Sequence, residues 1–342
     1  MPNLSSTLIR WILTLGLVFV FTSILLLLTH TPPLTTYWLL IKGSLGSLNK
    51  LARVFQVWVP LILCSCGLLF TFRMNLWNIG IEGQVMLGAI GATATLKWLA
   101  PFCPAWTCLI SALFFSFIAG ALWALGAGFL KTKAGVNEIF AGLGLNFVAQ
   151  GLILWLIFGP WKRPGIASMS GTKPFDFSLW LPTLHNFPVW GIILAIICLG
   201  ITAIIITWTR LGLELKAVGL NPFAAKLYGL SPNLNTLLAM TLAGGLAGIS
   251  GFFQVSGVYH RLIPAISSNY GYLSLLVVML ANYKWWPVPF ICFFFACLNV
   301  GSIQLPLILK IDSSLSGVIQ GVCVLVFLLA QKVNLKTKKQ IN

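Results

Sequence analysis

The chain has 342 residues, 58% of them hydrophobic and only 8% charged. A soluble globular domain carries about 25% charged residues, so that class is excluded. The net charge of +16 is not a nucleic-acid footprint either, because the basic residues are spread thinly over many loops and only Lys332 to Lys339 forms a run, the pattern of topology signals and lipid-headgroup contacts.

The apolar residues come in blocks of roughly 15–25 without strand alternation, the length a helix needs to cross a ~30 Å hydrocarbon core. The expected fold is all-α: a polytopic helical membrane protein with about ten transmembrane helices, a single permease-like domain over 1–342. The spans fall at about 11–29, 54–72, 78–99, 106–130, 139–159, 189–208, 234–255, 270–283, 286–308 and 315–331. The first lacks a small-residue cleavage site and reads as a retained span. The third is interrupted by Glu82 and Gln84, and the eighth is short for a full crossing. An even count puts both termini on one side. With the N-terminus in the cytoplasm, twelve of the 21 basic residues lie inside, including the tail 332–342. That orientation puts the loop 160–188 outside and the stretch 209–233 in the cytoplasm. Gly120, Ala124 and Gly128 form one small-residue seam, and Gly244, Gly248 and Gly251 nearly form another; such seams pack helices within a subunit or between subunits.

No catalytic or metal constellation is legible. The eight cysteines lie mostly inside apolar blocks, and His30, His185 and His260 lack ligand spacing. The polar residues at membrane depth stand out instead, since an acidic residue at a helix centre costs about 2.5–3.5 kcal/mol. Asn78 and Glu82 share a helical face, Gln84 follows, and Gly80 and Gly83 weaken the helix around them. Broken helix plus polar side chains is the profile of a cavity lining; pinning of neighbouring helices by Glu82 is the competing reading. Asn146 and Gln150 form a second i, i+4 pair, lining a pore or bonding between helices. Gln254 and Tyr270, with Asn269, sit where they could line a mouth. Of five acidic residues only Glu82 falls within a span, so an ion-coupled carrier is poorly supplied with carboxylates, and an engine outside the chain fits better.

The stretch from Leu211 to Asn233 offers that engine a contact. Asn221 followed by Pro222 is an N-cap with proline at the first helical position. Phe223, Ala224, Leu227 and Tyr228 then share one side of a short helix, Ala225 is expected with them at the contact, and Gly229 is a plausible left-handed stop. Ser231 and Pro232 repeat the cap-plus-proline signal.

Three stretches together resemble the permease subunits of bacterial ATP-binding-cassette importers, in the branch for ribose, other simple sugars and nucleosides. They are Asn78-x-Gly80-x-Glu82-Gly83-Gln84 ahead of Gly88-Ala89, Asn137-Glu138-Ile139 with Leu145-Asn146, and Lys216-Ala217-Val218-Gly219-x-Asn221-Pro222-x-Ala224-Ala225 running to Gly229. The resemblance covers about residues 50 to 330 and leans to the nucleoside branch. It implies a type II-like permease working as a pair with an identical or related chain, a cytoplasmic ATPase carrying two nucleotide-binding modules, and an extracytoplasmic substrate-binding protein, in the bacterial inner membrane. No cofactor is expected on this chain; ATP and Mg belong to the ATPase. The third stretch corresponds to the coupling helix that docks on the ATPase. The chain departs from the family pattern at Leu220, where Glu is usual, and over Ser274 to Met279, where small residues are usual.

Overall fold

The computed structural model describes residues 31–163 and 171–309 continuously, with Gly165 and short pieces between 16 and 28 and between 317 and 325. Its helices, in order, are α1 (Pro33–Leu45), α2 (Leu48–Arg73), α3 (Ile81–Leu99), α4 (Ala105–Ala134), α5 (Glu138–Phe158), α6 (Val189–Trp208), α7 (Arg210–Leu220), α8 (Pro222–Leu227), α9 (Pro232–Phe253), α10 (Tyr270–Leu280), α11 (Val288–Ser302) and α12 (Leu305–Leu309). A π-helical turn, Gln254–Tyr259, prolongs α9. Among the described residues there is no strand beyond one isolated bridge, Leu184 with Phe187.

The all-α class holds, but the count of ten spans needs correction. Five described helices are long and apolar enough to cross a membrane: α2, α4, α5, α6 and α9 with its π extension. α3 falls outside that group because protein surrounds it. Twelve of its residues are buried, so it carries glycine, threonine and Glu82 where lipid would demand leucine. α10 and α11 have only 11 and 15 residues, and 11 residues reach about 16 Å, half a bilayer core. The expected span 11–29 is described only in part, 315–331 lies largely outside the described residues, and the tail 332–342 wholly outside them. α1 occupies a stretch expected to be loop.

The chain forms two compact units, one of residues up to Val57 with those from Phe293 onward, the other Trp58–Cys292. In the first, Leu26, Leu39, Leu40 and Leu305 make a small buried cluster. In the second, α3, α4 and α9 pack through the two glycine seams. A Cβ on Gly120 would lie 2.8 Å from Gly248 Cα, and one on Gly251 2.5 Å from Ala89 N. No Cβ tolerates that approach, so these backbones touch because the side chains are missing, the device by which membrane helices gain dispersion contact. Both seams thus close within the chain. α9 is 72% buried over its apolar window against 28% for α6, which separates a central helix from a peripheral one whose isoleucines face outward.

The loop leaving α5 runs back along the end of α9. Thr172 N donates to Leu262 O (2.9 Å), Phe175 N to His260 O (2.8 Å) and Leu181 N to Ser256 O (3.0 Å). These bonds hold the segment 256–262, and so fix where the chain turns towards α10.

Candidate functional site

Residues 74–80 carry the chain from α2 into α3, and their polar groups are satisfied across helices. Asn78 and Gln84 are each 1% exposed and bond each other twice: Asn78 Nδ2 donates to Gln84 Oε1 at 3.0 Å, and Gln84 Nε2 to Asn78 Oδ1 at 2.9 Å. The pair closes on itself. Asn146 on α5 then holds the start of α3. Its Oδ1 accepts from Gly83 N (2.8 Å), one of the amides a helix N-terminus leaves unpaired. Its Nδ2 donates to Ile79 O (2.9 Å) and to Tyr272 Oη (3.0 Å). Glycine makes this possible, since a Cβ on Gly80 would lie 3.0 Å from Gly142 Cα.

Glu82 ties α3 to α10. Asn269, the N-cap of α10, has φ +60° and makes no side-chain cap. Glu82 Oε1 accepts from Tyr272 N at 3.1 Å instead, while Ser267 flanks the carboxyl. A Cβ on Gly271 would lie 3.2 Å from Glu82 Cδ, so glycine there admits the carboxylate. The N-termini of two helices, α3 and α10, thus meet at this one carboxyl group. The ion pairs among the described residues are Lys131–Glu138 and Arg210–Glu214, so no cation shares the role. Glu82 Oε2 is buried and makes no hydrogen bond.

Glu82 itself is one of the residues around a partly open cavity of ≈ 180 Å³. Glu82, Asn146, Gln150, Asn269 and Tyr272 supply its polar wall, and Met86, Leu143 and Phe147 its apolar one. Gln150 Nε2 donates to Pro264 O at 3.1 Å. Of the residues singled out from the sequence, Glu82, Asn146, Gln150 and Asn269 come together here. Asn78 and Gln84 lie behind the wall, bonded to each other. Gln254 and Tyr270 are buried and are not part of the wall; the Gln254 amide nitrogen has no partner. Sequence reasoning missed Tyr272 as a wall residue. The signal that could have found it is the Gly271-Tyr272 pair at the start of an apolar block.

At the other polar region, the stretch 209–233 is two helices rather than a loop. The Asn221 side chain accepts from Phe223 N and Ala224 N, both at 3.0 Å, and Gly229 has φ +80°. The helix is six residues long. Leu220, Phe223, Leu227 and Tyr228 are each at least 74% exposed, whereas Ala225 is buried; Ala225 anchors the helix and does not belong to its outer face. The Ser231 side chain makes no cap bond.

The family described as branched-chain amino acid transport system, permease component, matches residues 51–328. A glucose ABC transporter permease of Haloferax volcanii is 30% identical over 310 residues, covering 86% of this chain and 80% of that protein. A nucleoside ABC transporter permease of Lactococcus lactis is 27% identical over 298 residues, covering 83% and 80%. A second nucleoside permease of the same bacterium is 27% identical over 242 residues, covering 67% and 73%. With its apolar spans, its buried polar cluster and this match over most of its length, the chain belongs to this permease family: it is a multi-pass membrane protein, the permease subunit of an ABC transporter whose ATPase is a separate chain.

Proposed function

We propose that this permease imports nucleosides, or simple sugars such as ribose, by alternating access driven by ATP hydrolysis on its partner. The observation that carries the reading is the cavity wall itself, where the polar side chains of Glu82, Asn146, Gln150, Asn269 and Tyr272 stand beside Met86, Leu143 and Phe147. Sugar and nucleoside hydroxyls both donate and accept, and so match a wall of carboxyl, amide and phenol groups. The Tyr272 hydroxyl accepts from Asn146, so its own proton is free for a second hydroxyl, and Phe147 offers a ring on which a base stacks. The names of the relatives, glucose and nucleoside permeases, support the same chemistry.

α8 serves as the coupling helix. Its apolar outer face, widened by Leu220, argues for docking on the ATPase by burial rather than by an ion pair. Arg210, Lys216 and Lys226 around it support a cytoplasmic position, with both termini inside and the loop 160–188 outside the inner membrane. Lactococcus lactis has two such permeases, and this chain matches more of one than of the other, which supports pairing with a related chain. ATP and Mg bind to an ATPase with two nucleotide-binding modules, and an extracytoplasmic binding protein delivers the solute.

The test is uptake of radiolabelled adenosine, ribose, glucose and leucine in a strain lacking other routes. Adenosine or ribose uptake that stops on ATP depletion and survives a protonophore is expected. Leucine as the only solute taken up would overturn the substrate class, and uptake abolished by the protonophore alone would favour an ion-coupled carrier working through Glu82.

A further inference from the structure

α8 is joined to its two neighbours in different ways. Downstream, towards α9, Gly229 has φ +80° and nothing within 4 Å of where its Cβ would be. That link is open. Upstream, Gly219 in the last turn of α7 lies backbone to backbone against the end of α2. A Cβ there would fall on Arg73 O and 2.7 Å from Met74 Cα. The Asn75 side chain completes the contact, its Nδ2 donating to Gly219 O at 2.6 Å.

The turn that Gly219 meets is itself stiff. Met74 N and Leu76 N both bond Thr71 O, and Asn75 N bonds Phe72 O, each at 3.0 Å. Asn75 holds φ +56°, in the left-handed region that asparagine tolerates better than most residues. Arg73 Nη2 reaches Ile206 O at 3.5 Å, which adds the end of α6 to the same junction. Three residues beyond Asn75 stands Asn78, locked to Gln84, and four beyond that stands Glu82 at the cavity. Two residues beyond Gly219 stands Asn221, the cap of α8.

We propose that Asn75 and Gly219 form the transmission joint of the permease, the rigid contact through which displacement of α8 moves residues 73–80 and, with them, the start of α3 and Glu82. Coupling between distant sites travels through packed elements that shift as bodies, and this is the packed side of α8. Asn75 is a positioning residue, acting on the cavity through the backbone it holds. The inference rests on α8 being the element that meets the ATPase.

The test is hydrogen exchange on the permease–ATPase complex in lipid nanodiscs, with and without ATP and vanadate. Asn75→Gly keeps the left-handed backbone and removes the amide; Gly219→Ala drives a methyl onto Arg73 O and is the second variant. In the native complex, nucleotide is expected to change exchange over residues 76–86 at least three-fold. In Asn75→Gly that nucleotide-dependent change should disappear, while the ATPase still co-purifies and hydrolyses ATP. A merely structural role would raise exchange in both states and leave their ratio unchanged. A native complex whose 76–86 amides ignore nucleotide, or an Asn75→Gly complex with the full response, overturns the joint. Phe223→Asp separates the underlying reading: an ATPase that still co-purifies with this variant removes α8 as the docking element, whatever Asn75 does.

Discussion

α8 and α10 are both too short to cross a membrane, and both must satisfy the amides at their N-termini. α8 does so from within, with Asn221 one residue ahead of it, and it exposes its apolar side. α10 has a cap residue that makes no bond, and a carboxylate 190 residues earlier in the chain caps it instead. A local cap needs no tertiary structure, so α8 can shift as a body without losing its end. A distal cap fixes two segments to each other, here the start of α3 to the start of α10. The helix proposed to move carries its cap with it; the helix beside the cavity borrows one.

Breaking the distal cap should have the larger effect. Glu82→Ala orphans Tyr272 N and removes an acceptor from the cavity. Hydrogen bonds to charged groups contribute about 1.5–3 kcal/mol, so we expect a fall in thermal unfolding midpoint in nanodiscs of several degrees and loss of at least ten-fold in uptake. Glu82→Gln keeps an acceptor for Tyr272 N and is expected to recover the midpoint but not the uptake. A Glu82→Gln variant with native uptake would mean that the carboxylate acts only as a cap. Next in size is the amide pair. Asn78→Ala or Gln84→Ala alone leaves a buried amide without its partner, at a cost of about 1–3 kcal/mol. The double variant should cost less than the sum of the two, and additive costs would show that the pair is not a unit.

What the sequence made legible divides along the same line. The cap at Asn221, the stop at Gly229 and the period of the long helices depend on neighbours within a few residues, and they were readable. So was the presence of something at Glu82, because a carboxylate in an apolar block demands a reason. Its partner was not readable. Tyr272 N, and the Ile79 carbonyl that Asn146 holds, are backbone groups whose approach depends on Gly80, Gly142 and Gly271 meeting neighbours distant in sequence. The number of spans failed for another reason: the apolar blocks 270–283 and 286–308 hold helices of only 11 and 15 residues, and apolarity alone does not set where a helix ends. Asn78 and Gln84 read as cavity residues because polar spacing alone does not distinguish an amide facing a ligand from one facing another amide.

The local cap gives the smaller effect. Asn221→Ala should cost about 1 kcal/mol at α8, seen as roughly five-fold weaker association with the ATPase, and Asn221→Asp or Asn221→Ser should restore it. Uptake at saturating ATPase should stay close to native, because the cavity is untouched. If Asn221→Ala lowered the unfolding midpoint of the whole permease as much as Glu82→Ala, the contrast between local and distal capping would collapse.

The smallest effect is set by pH and tests how α10 is presented. His260 follows the π-turn with φ +54°. Its ring stacks on Trp180 with centroids 3.6 Å apart, and its Nδ1 lies 3.1 Å from Ser256 O. Burial holds its pKa below the ordinary value, which is about 6.5. The unfolded chain therefore binds the proton more readily than the folded one, and stability rises with pH across that window. The contribution is complete above about pH 6.5 and is lost as pH falls through the lower, folded value. Between pH 7.5 and 5.5 the unfolding midpoint of the native protein should drop slightly more than that of His260→Phe, which keeps a ring on Trp180 and cannot titrate. Because His260 opens the segment 260–269 that leads into α10, solute binding should weaken over the same interval. Association of the ATPase with α8, whose cap lies elsewhere, should not change between native and His260→Phe. Equal pH slopes in the two proteins would remove His260 from the support of α10 and leave Glu82 as the principal hold on its N-terminus.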